Sequence, residues 1–284
     1  MSDSFILTMN CPDRAGIVAA TATCLADNSA FITETAHFAD PETQRFFGRV
    51  EFEFQDGEGA EEAFRHAFDD VAAELDMDWG LNRSGEKCRI LIMVSKTDHC
   101  LNDLLYRHRK GALNVDIACI ASNHPDLKPL ADWHGIPFHH LPVAPDNKRD
   151  QESQILDMFE SSGSDLLVLA RYMQILSPEM CASLQGRAIN IHHSFLPGFK
   201  GARPYHQAHA RGVKLIGATA HFVTTDLDEG PIIEQAVERV DHKATPESMI
   251  ETGRDLESLV LARAVTYYSE QRVFLNGQRT IVFK

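Results

Sequence analysis

The sequence predicts an α/β protein in two parts. Residues 1–85 read as a ferredoxin-like unit of βαββαβ order, and residues 86–284 as a Rossmann-like unit with a mostly parallel sheet. Three observations carry this. Strand and helix patterns follow one another in βαββαβ order over about 80 residues. A short polar segment with a glycine, NRSGEK at 82–87, then interrupts them as a linker would. Beyond it, buried-type apolar strands alternate with helices, the order that builds a parallel, doubly wound sheet.

In the first part, Phe5 to Met9 is a short apolar strand that runs into the turn CPDRAG. IVAATATCLADNSA follows with apolar residues at helical spacing. Phe31 to Phe38 and Phe46 to Phe54 read as strands; in the second, Arg49, Glu51 and Glu53 alternate with Val50, Phe52 and Phe54. Glu61 to Glu74 is an amphipathic helix, and Asp76 to Leu81 a fourth strand.

In the second part, CRILIMVS, VDIACIAS, PFHHLPV, DLLVLARY and AINIHHS are the strands. Helices are predicted between them at Leu101 to Arg109, Leu127 to His134, Gln151 to Ser161 and Pro178 to Leu184. Lys214 to Phe222 and Ile232 to Val240 form a late antiparallel pair, and Thr245 to Gln271 a long closing helix. In open α/β sheets, ligands bind beyond the carboxyl ends of the strands. Asn190 and His192 close one strand, and Arg171 to Leu176 closes another.

Composition narrows the function classes. At 284 residues, with 24% charged and 44% hydrophobic, the chain can bury a full core without staples. Lys+Arg number 27 against 41 Asp+Glu, a net charge of −14, which argues against nucleic acid as a partner. A single anionic ligand in a local basic pocket remains open. Six cysteines without a C-x-x-C pair give no support to zinc ribbons or thioredoxin-type sites and suit reduced thiols in the cytoplasm. The start, MSDSFILTMNCPDR, lacks the basic region of a signal peptide. The longest apolar run, LLVLARYMQIL, is broken by Arg171 and falls short of the ~20 residues of a membrane span.

Two stretches carry the chemistry. In AINIHHSFLPGFKGARPYHQA, Asn190 and His192 sit two apart on a strand and face the same side. In ATAHFVTTDLDEGPII, His221 ends a strand and Asp226 and Asp228 follow in a loop. An amide to hold an oxyanion, an imidazole to donate and a carboxylate to orient are the parts for polarising a carbonyl and moving a proton. Each has a plainer reading. A lone Asn-x-His more often caps its own turn, and Asp226 and Asp228 could simply solvate theirs. His193, adjacent on the strand, is expected to face away from the site, which also weakens a metal reading of the His192–His193 pair. Ser194 lies in no G-x-S-x-G elbow, and no G-x-G-x-x-G follows the first strand of either part.

Together, NIHHSFLPGFKGA and GATAHFVTTDLDEGPII resemble the folate-dependent formyltransferases. The resemblance spans roughly Cys88 to Lys284 and puts that family's catalytic asparagine, histidine and aspartate on Asn190, His192 and Asp228. RYMQILSP resembles its folate-pocket loop, so Met173, Gln174, Ile175 and Leu176, with His221, are expected to bind the substrate. The start, FILTMNCPDRAGIVAATATCLADNSAFI, resembles the ACT domain, a ferredoxin-like module that binds small ligands, often amino acids, at pair interfaces. That pairing is the layout of the formyltetrahydrofolate deformylase family.

The resemblance implies hydrolysis of 10-formyltetrahydrofolate to tetrahydrofolate and formate, feeding purine synthesis and one-carbon balance, without metal or redox cofactor. It also implies an amino-acid effector, with Asp13, Arg14 and Gly16 at the first turn as candidate contacts. Exposed sheet edges lead us to expect a homo-oligomer. The residues add one argument of their own. The loop after the first strand of the second part, VSKTDHCLNDLL, holds no glycine with which to cradle a nucleotide phosphate, and this favours water as the acceptor. Two alternatives stay open: transfer of the formyl group to an amine, and an inactive folate- or amino-acid-sensing protein.

Overall fold

The first six elements are β1 (Ser4–Pro12), α1 (Ile17–Asp27), β2 (Ala30–Asp40), β3 (Arg45–Phe54), α2 (Ala60–Leu75) and β4 (Asp78–Arg83). The computed structural model describes residues 4–55, 59–198 and 204–284. The four strands form one antiparallel sheet in the order β2-β3-β1-β4, the expected ferredoxin-like arrangement. Alternation decides its buried face: Leu7, Met9, Val50 and Phe52 pack with Phe64 and Phe68 of α2 and with Ile17 and Leu25 of α1. Each large apolar side chain buried this way contributes about 1.5–3 kcal/mol.

Arg49 belongs to the polar side of that alternation, yet it is only 2% exposed. Its guanidinium lies 3.5 Å from Glu34 and 3.2 Å from Glu51, and its Nε donates to the Glu270 carbonyl at 3.2 Å. The end of the chain supplies the cover. Glu270–Asn276 and Ile281–Lys284 form one compact unit with the residues up to Glu86. Asn276 Nδ2 donates to Asp40 Oδ2 at 2.6 Å, and the Phe274 ring meets Phe47 edge-on. The sequence pattern had placed this tail in the second part.

The second unit spans Lys87–Ser269 with Gly277–Thr280. Its elements are β5 (Cys88–Val94), α3 (His99–Arg109), β6 (Val115–Ser122), α4 (Lys128–His134), β7 (Phe138–His140), α5 (Lys148–Ser161), β8 (Leu166–Leu169), α6 (Pro178–Ser183), β9 (Ala188–His192), α7 (Pro204–Ala210), β10 (Leu215–Phe222), β11 (Ile232–Arg239) and α8 (Pro246–Ser269). A hairpin of β12 (Val273–Asn276) and β13 (Arg279–Val282) ends the chain.

The seven-stranded sheet runs β11-β10-β9-β8-β5-β6-β7. Strands β5 to β9 are parallel, and β10 is antiparallel to both β9 and β11. The continuous apolar runs have the expected reason: Leu91 and Met93 face Ile155, Phe159 and Met180, while Ile90, Ile92 and Val94 are equally buried on the other side. From β5 the chain goes to β6 on one side and, later, to β8 on the other. This reversal of strand order opens a crevice at the carboxyl ends of β5 and β8. No described helix is long and apolar enough to cross a membrane. All six cysteines are buried, unpaired thiols.

Candidate active site

At that reversal lies a cavity of about 520 Å³, walled by the segments after β5, β8, β9 and β10 and by α8. Asn190 and His192 both line it, as their i, i+2 spacing on β9 requires. Asp228 reaches the same place from the loop after β10. His192 Nδ1 lies 3.1 Å from Asp228 Oδ1. Burial pushes the Asp228 carboxyl up, but the hydrogen bond and charge of His192, followed by His221 and His193, more than offset this and hold it below its ordinary value. A carboxylate accepts, so Nδ1 carries the proton and Nε2 is the free nitrogen of His192. Nε2 is buried and has no hydrogen-bond partner among the described residues.

His221 stands directly opposite Asn190 in the β9–β10 register. Its Nδ1 donates to the Phe222 carbonyl at 2.8 Å, which leaves Nε2 to accept from Asn190 Nδ2 at 3.3 Å. Burial lowers the His221 pKa against the opposing pull of Phe222 and Asp228, so the ring is neutral and this tautomer holds. One N–H of Asn190 is thereby fixed on His221, and the other is available to an oxygen in the cavity. His221 has both ring nitrogens committed to protein. Its polar contacts position Asn190, and it lines the cavity where substrate binding is expected.

Two cross-strand devices, invisible in sequence, hold this end of the sheet. Thr219, opposite His192, donates to the Ser194 carbonyl at 2.9 Å and accepts from Leu196 N at 3.1 Å. Gln235 on β11 donates to both Thr219 Oγ1 and the Leu196 carbonyl. They fix the first residues of the SFLPGFKGA loop; Phe199 to Ala202 of that motif, with Arg203 after it, lie outside the described residues.

The loop after β8 forms another wall. Met173 and Ile175 are 56% and 61% exposed, while Leu176 is buried in the core. Met173, Gln174, Ile175 and Leu176 all line the cavity. Met173 N donates to Ser95 Oγ at 3.0 Å, and Ser95 Oγ donates to Asn123 Oδ1 at 2.7 Å, so the ends of β5 and β6 position this loop.

The opposite end of the cavity is polar. Glu257 of α8 is 2% exposed and accepts from His99 Nε2 at 2.8 Å and Tyr205 Oη at 2.9 Å. Arg171 Nε lies 3.3 Å from its carboxylate, as an ion pair off the line of a hydrogen bond. Burial pushes Glu257 up, but His99, Arg171 and Tyr205 together hold it below its usual range. His99, Cys100 and Glu257 lie close enough to share a metal ion. The Arg171 guanidinium opposes a cation there, as does the Cys100 thiol, which burial and then Glu257 push far up. His193 departs from expectation. Strand β9 ends at His192, so alternation no longer applies, and His193 lines the same cavity with its ring 5.1 Å from that of His192.

In the first unit, Asp13, Arg14 and Gly16 are exposed. Gly16 precedes α1 at φ 97°, a conformation that favours glycine. Asp13 N donates to the Gln44 carbonyl at 2.8 Å, and Arg14 donates to the Glu74 carbonyl.

The buried imidazoles set the pH response of the second unit. Burial, then Arg171, lowers His193 to about 4 from 6.5. The unfolded chain therefore binds more protons between these values, so stability rises with pH through that window. The contribution is complete above pH 6.5 and is lost as the pH falls toward 4. Thermal unfolding followed across this range will show a falling Tm on acidification, and His193→Gln will flatten the dependence.

Comparison with known proteins follows the same division. A model of the formyl transferase family matches residues 88–265. A formyltetrahydrofolate deformylase of Corynebacterium sp. (strain P-1) is 48% identical over 279 residues, 98% of each chain. The crystal structure of a formyltetrahydrofolate deformylase from Burkholderia mallei is 56% identical, with 99% of this chain and 100% of that one covered at a TM-score of 0.95. A glycinamide ribonucleotide transformylase from Symbiobacterium toebii is 28% identical, covering 72% of this chain and 98% of its own at a TM-score of 0.66.

Proposed function

The chain belongs to the formyltetrahydrofolate deformylase family, and we propose that it hydrolyses 10-formyltetrahydrofolate to tetrahydrofolate and formate with Asn190, His192 and Asp228 as the reacting set. The observation that carries this is the His192 ring: Nδ1 is held by Asp228, and Nε2 is buried and unpartnered among the described residues, in the cavity that Asn190 also lines.

Water adds to the formyl carbon, and its oxygen becomes one of the two oxygens of formate. The carbonyl oxygen takes up charge and receives the free N–H of Asn190. Such a donor contributes about 2.7–4 kcal/mol when charge develops on the oxygen it faces. The carbon–nitrogen bond then breaks. His192 Nε2 delivers a proton to the folate nitrogen, Asp228 stabilises the imidazolium that precedes this step, and the second water proton is released with formate. The exposed apolar side chains of Met173 and Ile175 suit the flat face of a pterin. We place no metal or redox cofactor in this reaction: Asn190 serves as the oxyanion donor and His192 as the proton carrier.

The distinguishing experiment is an assay with no acceptor added. Formate and tetrahydrofolate should appear together, and glycinamide ribonucleotide should be neither formylated nor inhibitory. Efficient formylation of that nucleotide would establish the transferase alternative instead.

We further propose that the protein is a cytoplasmic homo-oligomer and that the first unit binds an amino acid, with Asp13, Arg14 and Gly16 as contacts. The six buried thiols suit a reducing compartment. The 11-residue edge strand β2 offers unpaired backbone groups to a second copy. Glycine or methionine should alter the rate of the wild type and leave that of Arg14→Ala unchanged; equal responses remove the effector.

A further inference from the structure

We propose that His193 is a second imidazole of this site, a neutral N–H donor that holds the attacking water, with Arg171 and Glu257 as the positioning residues that fix it. The proposal rests on the hydrolytic reading above. Arg171 donates from Nη1 to His193 Nδ1. A guanidinium has no acceptor, so Nδ1 is the lone-pair nitrogen and the ring proton sits on Nε2. The tautomer is therefore set by geometry, and the ring can donate from Nε2 but cannot serve there as a base.

Arg171 has no freedom to do otherwise. It leaves β8 at φ 63°, a left-handed conformation uncommon for a side chain of this size. Its Nε side is occupied by Glu257, which His99 and Tyr205 hold in turn. Tyr205 itself lies against the α8 backbone: a Cβ on Gly253 would fall 2.0 Å from its hydroxyl oxygen. Side chains from α3, α7 and the loop after β8 thus converge on one buried carboxylate of α8, and the outcome at the cavity is the orientation of His193. The groups facing His193 are Arg171 from the β8 loop, His192 from β9, Tyr205 from α7, Glu257 from α8 and Asp228 from the β10 loop. Burial and Arg171 keep the ring neutral down to about pH 4.

The same cavity has room for the water. Thr97 Oγ1 and His192 Nε2 are buried in its wall with no hydrogen-bond partner among the described residues. Buried polar atoms without protein partners mark hydration sites. A water there can accept from His193 Nε2–H and donate to His192 Nε2, leaving a lone pair for the formyl carbon. The oxygen–carbon bond forms and the carbon–nitrogen bond breaks. One water proton reaches the folate nitrogen through His192, and the other leaves with formate.

The test combines acceptor-free formate release with ¹⁵N imidazole NMR of the full chain. In the wild type, His193 should show the neutral Nε2–H tautomer from about pH 5 to about pH 8. His193→Ala should lower kcat ~10- to 100-fold with KM for the folate little changed, the loss expected when one reactant is misplaced. His193→Gln, whose amide N–H can replace the imidazole donor, should recover part of that loss. Arg171→Met should move the acid limb of the kcat profile to higher pH, because His193 then protonates closer to its ordinary value; a purely structural role would not shift it. Glu257→Gln should shift it the opposite way, to lower pH, because that carboxylate raises the His193 pKa. Wild-type kcat and pH profile in His193→Ala, or an Nδ1–H tautomer in the wild type, would overturn the assignment. Absence of formate release from the wild type itself would instead remove the hydrolase reading and this proposal with it.

Discussion

Replacing His192 with alanine lowers kcat for formate release at least ~100-fold, and Asn190→Ala and Asp228→Ala do the same, each in the range of an acid–base group or an oxyanion donor. The losses at His192 and Asp228 should not add. Asp228 acts through the His192 ring 3.1 Å away, so the double variant His192→Ala, Asp228→Ala should be little worse than His192→Ala alone. Asn190 acts on the formyl oxygen, not on the leaving nitrogen, and should combine more nearly additively. Steady-state kinetics of the three single variants, that double variant and the double variant Asn190→Ala, His192→Ala check both statements. Near-normal turnover in Asp228→Ala would remove the carboxylate from the mechanism.

The second large effect is expected at a residue that carries no chemistry. Gly230→Ala should abolish most activity, at least ~100-fold, because reacting groups moved by an ångström lose about that much. The turn that delivers Asp228 folds back on β10 so tightly that a Cβ at Gly230 would lie 1.8 Å from the Phe222 carbonyl oxygen and 3.1 Å from His221 Nδ1. The first contact is with backbone and cannot yield by a side-chain rotation. The hydrogen bond from Phe222 N to the Pro231 carbonyl, 2.9 Å, would have to lengthen, and Asp228, already at φ 58°, would move away from His192. Thermal unfolding should register the same strain as a loss of about 1–3 kcal/mol. Wild-type kcat and Tm in Gly230→Ala would show that the turn is more pliant than its geometry implies.

Local pattern made most of the architecture legible. The apolar runs of β5, β6, β8 and β9 are long and bounded by polar turns, and such strands, buried on both faces, need no distant partner to be recognised. What escaped depends on contacts between distant segments. Helix α7, PYHQAHA, has no helical hydrophobic period; its Tyr205 and Ala208 are buried because Ile216 and Met249 happen to lie beneath them. Arg49 read as a surface charge until the chain end returned to cover it.

The site divides in the same way. The i, i+2 pairing of Asn190 and His192 is a local fact and was visible. The choice between Asp226 and Asp228 was not, and came only from family resemblance; in the structure Asp226 is exposed while Asp228 reaches His192. The error over His193 came from extending strand alternation one residue past the point where the strand stops. Arg171 did announce itself by interrupting an apolar run. Its partner Glu257 was one acid among several on a long helix, and only the fold brings the two together.

The most direct test of the whole account is to run the reaction in heavy-oxygen water and analyse the products by mass spectrometry. The account predicts that each formate released carries one solvent oxygen and that formate and tetrahydrofolate accumulate in equal amounts without any added acceptor. Formate lacking solvent oxygen, or tetrahydrofolate formed without formate, would contradict it.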